Sequence, residues 1–120
     1  MQEEEITYKI RGAIFEVYRQ LGHGFLESIY QKALVHELEM MGIGTDSEVP
    51  LKVSYKGQVV GEFRADIVVE NRVLIELKAV KALHPAYEAQ VINYLKATGF
   101  KVGLLVNFAR PKATIKRLVF

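Results

Sequence analysis

The sequence predicts an α/β domain of the α+β kind, with its elements in the order α-α-β-β-β-α-β-β. Two helical patterns open the chain, a β-rich middle follows them, and a third helical segment precedes two final strands. Apolar residues recur every three to four positions in the helical segments and every second position in the strands. Half of the 120 residues are apolar. Residues 1–120 are therefore expected to form one domain around a single core.

The first two helices are predicted from apolar residues at helical spacing. The first runs from about Glu3 to Leu21, and the glutamates of its first turn suit the positive end of the helix dipole. The second runs from about Leu26 to Met41. Glycines follow both helices and are expected to end them. The predicted buried stripe of the second helix consists of Leu26, Ile29, Tyr30, Ala33, Leu34, Leu38 and Met41.

The β-rich middle predicts a first strand over residues 48–55, a turn at Lys56-Gly57 and a hairpin centred on Asn71. Strand side chains alternate between two faces, so the register decides which residues meet. On one face this register pairs the apolar residues Val69 with Val73, Ile67 with Ile75 and Ala65 with Leu77. On the other face it pairs Val68 with Leu74, Asp66 with Glu76 and Arg64 with Lys78.

The last third predicts a helix from about Pro85 to Ala97, because proline is favoured in a first helical turn. Residues 101–108 form an apolar run that is typical of a buried strand, and residues 114–119 are predicted to form an edge strand. The chain has no cysteine, no apolar run of membrane-spanning length and an acidic start. These features predict a cytoplasmic protein without membrane association.

The predicted hairpin places two carboxylates, Asp66 and Glu76, opposite each other. Like charges in this arrangement destabilise a sheet, so a bound cation is the simplest compensation. A hard divalent ion such as Mg²⁺ binds a few carboxylate oxygens together with waters and substrate phosphate. The alternative is a pair of surface acids bonded to Arg64 or Lys78.

Lys78 follows Glu76 by two residues, so both side chains project from the same face. In metal-assisted hydrolysis, a lysine at this position can orient or help deprotonate the attacking water and stabilise the developing negative charge. The alternative is a surface ion pair of small energetic value. The apolar residues around them indicate a central strand, where a charged pair is unexpected without a function.

Two helices supply further candidates. Gln90 and Tyr94 are four residues apart and share a helix face, where they could contact a nucleotide, a phosphate or a metal-bound water. Taken alone, they are better explained as a solvent-facing glutamine and a half-buried tyrosine. Glu27 lies at the edge of the buried stripe of the second helix, where an unpaired carboxylate is costly. It could reach the acid pair, or it could be a helix-start glutamate favoured by the dipole.

Charge is distributed unevenly along the chain. Residues 1–50 contain four Lys/Arg and nine Asp/Glu, which gives a balance of −5. The final 32 residues, 89–120, contain six Lys/Arg and no acid. A basic C-terminal third is compatible with a polyanionic partner, although on charge alone a solvated basic face is the favoured explanation.

A family resemblance adds to these observations. The segment Gly24–Tyr30, GFLESIY, resembles the motif of the GxxExxY proteins, a small prokaryotic group within the PD-(D/E)xK nuclease-like superfamily. Asp66 followed by Glu76-Leu77-Lys78 is similar to the D…ExK motif of that superfamily, and Gln90–Tyr94 is similar to its QxxxY motif. The motif's usual proline before the aspartate is Ala65 here.

The resemblance implies a restriction-endonuclease-like core, in which a central mixed β-sheet is flanked by helices. It also implies a role for each candidate residue. Asp66 and Glu76 would bind Mg²⁺ or Mn²⁺, and Lys78 would position the water. The remaining roles are support of the metal or the water by Glu27, and substrate binding by Gln90 and Tyr94.

Three functions follow from the sequence. The first is a metal-dependent nuclease acting on DNA, with RNA left open. The second is a nuclease-fold module that binds nucleic acid without cleaving it. The third is a protein-interaction module, in which the long first helix would serve a homodimer interface.

Overall fold

The computed structural model describes residues 2–120, which form a five-stranded mixed sheet flanked by helices on both faces. The predicted fold class and element order are confirmed. The elements are α1 (Glu3–Leu21), α2 (Glu27–Met40), β1 (Thr45–Tyr55), β2 (Gln58–Val69), β3 (Val73–Lys78), α3 (Pro85–Thr98), β4 (Val102–Phe108) and β5 (Ala113–Val119).

The strands follow one another across the sheet in the order β1-β2-β3-β4-β5. All neighbouring pairs are antiparallel except β3 and β4, which are parallel and connected through α3. A parallel pair needs such a crossover, because the chain must return to the starting end of the sheet. As predicted, β3 is central, β4 is buried along its whole length and β5 is an edge strand.

Each face of the sheet has its own apolar cluster. Helices α1 and α2 cover one face, where Ile10, Ile14 and Leu34 are fully buried with Ile75 and Leu104 of the sheet. Helix α3 covers the other face with a smaller cluster that includes Val91, Tyr94 and Leu95. The stripe predicted for α2 is correct only in the middle of the helix. Tyr30, Leu34 and Leu38 are buried, whereas Leu26, Ile29 and Met41, near the helix ends, are exposed.

The predicted hairpin register is confirmed for Val69–Val73, Val68–Leu74 and Ile67–Ile75, where the pairing of β2 with β3 ends. The predicted pairs Ala65–Leu77 and Arg64–Lys78 are absent from the ladder. Beyond Ile67, β2 stays paired with β1, whereas β3 stays paired with β4 as far as Lys78. The two strands therefore diverge, and they leave a gap between them.

The apolar residues of β2 lie on one face of the sheet after this gap and on the other face before it. Ile67 and Val69 belong to the cluster under α1 and α2, but Ala65 belongs to the cluster under α3. The prediction that Ala65 shares a face with Ile67 is therefore wrong. The change occurs at Asp66, where the pairing with β1 skips Glu48, which has a positive φ of 52°. The register on either side of this position is unchanged, since Ser47 pairs with Ile67 and Val49 pairs with Ala65.

No helix among residues 2–120 is both long enough and apolar enough to cross a membrane.

The contact between α3 and the sheet depends on Gly103 in β4. A Cβ atom at this position would lie 2.7 Å from Val91 Cγ1 and 3.4 Å from Leu95 Cδ2. Because both neighbours are buried, Gly103→Ala should lower the free energy of unfolding by about 1–3 kcal/mol in urea titrations.

Gly12→Ala is the matched control, because Gly12 is exposed within α1 and its Cβ would meet no atom within 4 Å. This substitution should raise the free energy of unfolding by about 0.5–1 kcal/mol through helix propensity. Equal stability of Gly103→Ala and the wild type would contradict the close packing of α3 on β4.

Candidate functional site

Asp66 and Glu76 lie where the hydrogen-bond ladder between β2 and β3 ends. The backbone N–H of Asp66 donates to Glu76 Oε1 at 3.0 Å. The backbone N–H of Leu77 donates to Asp66 Oδ2 at 2.8 Å. At this point the two carboxylates, and not backbone carbonyl groups, connect β2 to β3. The structure brings these acids together through reciprocal side-chain bonds across the gap, and not as a ladder pair.

Burial and mutual repulsion favour a proton on this acid pair. Glu76 is only 4% exposed. Burial, followed by the charge of Asp66, raises the pKa of Glu76 to about 8, although the Asp66 N–H and the Lys78 ammonium act in the opposite direction. Burial also raises the pKa of Asp66, and the nearby carboxylates of Glu48 and Glu27 contribute to that increase. Such an environment is typical of functional sites.

The carboxylate oxygens of Asp66 and Glu76 are suitable ligands for a small hard cation. Asp66 Oδ1 and Glu76 Oε2 receive no hydrogen bond from the residues that the structure describes, whereas the other oxygen of each carboxylate does. Within residues 2–120, no cluster of three or more His, Asp or Glu side chains is arranged to hold a metal. Mg²⁺ does not need one, since it is commonly bound by one or two carboxylates together with waters and substrate phosphates.

Lys78 ends β3 beside the acid pair, and its charge lowers the pKa of both Asp66 and Glu76. Its Nζ lies 4.4 Å from the ring centroid of Tyr87, within the range of a cation–π contact. The sequence analysis missed Tyr87. The available signal was its spacing, because Tyr87, Gln90 and Tyr94 recur at helical intervals on α3.

Tyr94 faces the acid pair from α3. It is almost fully buried, and its ring centroid lies 5.2 Å from that of Phe63. Burial, together with the charges of Glu76 and Asp66, raises the pKa of Tyr94 to about 12. The hydroxyl therefore remains protonated and available as a donor. Gln90 lies one turn earlier and is partly buried.

Glu27 is the first residue of α2 and is exposed. Glu27 lies outside the buried part of the predicted stripe, because Glu27, Ser28 and Ile29 are exposed and the buried residues of α2 begin at Tyr30. Its Oε2 accepts a hydrogen bond from the backbone N–H of Ala79 at 3.3 Å. Glu27 therefore ties the start of α2 to the segment that follows Lys78, and its charge raises the pKa of Asp66.

Two amides that the sequence analysis did not select hold the strands beside the acid pair. Gln31 Nε2 donates to the carbonyl oxygen of Asp66 at 3.0 Å. Asn107 is buried opposite Lys78 in β4, and its side chain both donates to Val80 O at 2.9 Å and accepts from Val80 N at 3.0 Å. The sequence signal for Asn107 was a single polar residue within an apolar strand.

Comparison with known families identifies the superfamily of the chain. A family model described as the PD-(D/E)XK nuclease superfamily matches residues 4–118. The chain belongs to this superfamily. The fold is similar to the crystal structure of SSO0001, with a TM-score of 0.62 and 19% sequence identity, over 77% of this chain and 48% of that one. No curated protein sequence matches. The likeness in fold is consistent with a restriction-endonuclease-like core. This member of the PD-(D/E)XK superfamily spans about half the length of SSO0001.

The raised pKa of Glu76 predicts how stability depends on pH. Between about pH 4.5 and 8, folded Glu76 retains a proton that the unfolded chain has lost. The free energy of unfolding should therefore fall as pH rises through this window, by at most about 1.4 kcal/mol per pH unit from this one group. Urea titrations in EDTA at several pH values would measure the slope. Glu76→Gln should flatten it, and an unchanged slope in that variant would contradict the assignment.

The contact between Lys78 and Tyr87 predicts a positioning role for the tyrosine. Tyr87→Leu removes the aromatic face and should shift the Lys78 ammonium, which would lower kcat on a nucleic-acid substrate about tenfold with little change in KM. Tyr87→Phe retains the ring and should retain activity. A loss that is the same in both variants would indicate that the hydroxyl matters, and it would contradict a cation–π role.

Proposed function

We propose that this chain is a metal-dependent nuclease that hydrolyses phosphodiester bonds in DNA. The observation that carries the proposal is the buried acid pair, Asp66 and Glu76, at the gap between β2 and β3 with Lys78 beside it. Membership of the PD-(D/E)XK nuclease superfamily supports this function. The carboxylates of Asp66 and Glu76 would hold Mg²⁺ or Mn²⁺.

A divalent ion bound at this position would supply the positive charge that stabilises a phosphate during hydrolysis. The protein prepares the site by burying two carboxylates that repel each other. Because the pKa of Glu76 is raised to about 8, metal binding near neutral pH should release a proton. Affinity for the ion is therefore expected to increase with pH.

Apart from the two carboxylates, Lys78 is the residue with the main role in the proposed reaction. Its Nζ–H groups would orient the attacking water and stabilise the negative charge that develops on the phosphate oxygens. The Tyr94 hydroxyl remains protonated and would donate to substrate or to an ordered water, and Gln90 would contact the substrate from the same helix face. Glu27 would support the site by holding the Ala79 backbone.

The reaction is a hydrolysis that consumes one water molecule. The water oxygen forms a bond to phosphorus, and the bond between phosphorus and one sugar oxygen breaks. The water loses one proton to solvent, and the departing sugar oxygen gains one. The products are a phosphate monoester and a free sugar hydroxyl. Positioning and charge stabilisation, and not covalent catalysis, provide the rate increase in such reactions.

The residues that resemble the GxxExxY motif each have a structural role that supports membership of that group. Gly24 has a positive φ of 105°, which favours glycine. Glu27 accepts from Ala79, and Tyr30 is fully buried with its hydroxyl bonded to Gly22 O. The cytoplasmic location and a homodimer stay predictions from the sequence.

A cleavage assay tests the proposal. Purified protein is incubated with single-stranded, double-stranded and branched DNA, and with RNA, in Mg²⁺ or Mn²⁺. Lys78→Ala should lower kcat/KM about 10²–10³-fold, the usual effect of losing one group that stabilises a transition state. Lys101→Ala is the control, since Lys101 is exposed beside the start of β4, at the opposite end of that strand from Asn107.

Calorimetry should show uptake of Mg²⁺ or Mn²⁺ by the wild type and a loss of that uptake in Glu76→Ala. Absence of cleavage of every substrate, or cleavage that survives Lys78→Ala, would refute the nuclease. Salt-dependent binding of DNA without cleavage would instead support a nuclease-fold binding module.

A further inference from the structure

Exposed apolar side chains and cationic side chains adjoin each other at the carboxyl ends of β3 and β4. Leu26 is 73% exposed and Phe25 is 44% exposed. Both precede α2, in the same loop as His23. Arg110 and Lys112 follow β4 and are also exposed. We call this region the strand-end surface, and it consists of His23, Phe25, Leu26, Ile29, Arg110 and Lys112.

The strand-end surface borders the acid pair. Glu27 lies within its loop and helix start, and it accepts a hydrogen bond from Ala79, the residue directly after Lys78. Asn107, one residue before the end of β4, bonds both backbone groups of Val80. The segments before α2, after β3 and after β4 therefore meet at the end of the sheet where β3 and β4 terminate. A chain of another molecule that lay across this surface would continue towards Lys78.

Hydrogen bonds from two tyrosines, the fully buried Tyr30 and the partly buried Tyr18, hold the loop in place. The Tyr30 hydroxyl donates to Gly22 O at 2.6 Å and accepts from the Phe25 N–H at 3.3 Å. On the adjoining segment, the Tyr18 hydroxyl donates to Ala109 O at 2.6 Å. Leu26 is thus presented to solvent by a loop that is bonded to the core at both sides. A preorganised surface loses less entropy when it binds a partner.

The charge of the surface is complementary to phosphate. Arg110 Nη1 lies 3.4 Å from His23 Nε2, so the two side chains are neighbours on this surface. Within the described chain, neither Arg110 nor Lys112 forms an ion pair. The basic residues nearer the C-terminus differ, since Lys116 pairs with Glu88 and Arg117 pairs with Glu4.

We propose that the strand-end surface binds a single-stranded segment of nucleic acid next to the scissile bond. Bases would pack on Phe25 and Leu26, and phosphates would contact Arg110 and Lys112. Single strands fit this combination because their unstacked bases expose apolar faces, which a duplex hides. The inference rests on the proposed nuclease function, and it identifies single strands and duplexes with single-stranded ends as the substrate class.

Binding measurements test the surface separately from catalysis. Fluorescence anisotropy in Mg²⁺, in a Lys78→Ala background to prevent cleavage, compares a labelled single strand with a blunt duplex of the same sequence. Leu26→Ser should weaken single-strand binding about fivefold or more and change duplex binding less than about twofold. Arg110→Ala with Lys112→Ala should reduce the dependence of log K on log salt by up to about 1.4, or about 0.7 per lost phosphate contact on a single strand.

Matched controls are Val60→Ser, at an exposed apolar residue of β2, and Lys101→Ala, at an exposed lysine beside the start of β4. Neither should alter single-strand binding. Leu26 is exposed, so its variant should fold, which thermal melting would verify. Binding is also compared between a DNA strand and an RNA strand of the same sequence, which shows which of the two the surface prefers.

The proposal is overturned if Leu26→Ser weakens duplex and single-strand binding equally, or weakens neither. It is also overturned if light scattering shows that Leu26→Ser converts a dimer to a monomer without altering nucleic-acid binding. That result would identify a protein interface instead. A wild type that binds single strands through this surface but cuts no substrate would refute the nuclease and leave the binding inference intact.

Discussion

Two carboxylates that are buried side by side repel each other, and the structure around Asp66 and Glu76 accommodates that repulsion. Glu76 is nearly inaccessible because β3 is the central strand, with β2 and β4 on either side and α3 above it. Asp66 meets it at the place where β2 leaves β3. Two reciprocal backbone hydrogen bonds and the Lys78 ammonium offset part of the repulsion. Burial raises the pKa of both acids, with a further contribution from the charge of Asp66 at Glu76 and from Glu48 and Glu27 at Asp66, so the pair favours a cation.

The divergence of β2 from β3 is what makes room for this site. The ladder ends at Ile67–Ile75, and beyond it the carboxylates of Asp66 and Glu76 accept hydrogen bonds from the opposite strand. Strand β2 follows β1 past a skipped position at Glu48, and Gln31 of α2 holds the Asp66 carbonyl group. On the other side, Asn107 holds Val80. The gap is therefore bordered by hydrogen bonds from α2 and from β4.

The charge asymmetry of the sequence has two separate explanations in the structure. Arg117 pairs with Glu4, and Arg72 pairs with Glu3, so part of the basic charge neutralises the acidic first turn of α1. Arg110 and Lys112 instead follow the carboxyl end of β4, which lies beside the carboxyl end of β3, where Lys78 is located. Within residues 89–120, Lys116 and Arg117 are thus paired with acids, whereas Arg110 and Lys112 form no ion pair among the described residues.

The sequence by itself determined the element order, the helices and the first three pairs of the hairpin, because these depend on periodicity within short segments. It also placed Asp66, Glu76 and Lys78 on neighbouring strands. Only the tertiary structure decided that β3 pairs in parallel with β4, that Ala65 changes face, that Glu27 bonds Ala79 and that Tyr87 packs on Lys78. These contacts join elements that are distant in sequence or depend on strand divergence. No local alternation of apolar and polar residues records where two paired strands separate.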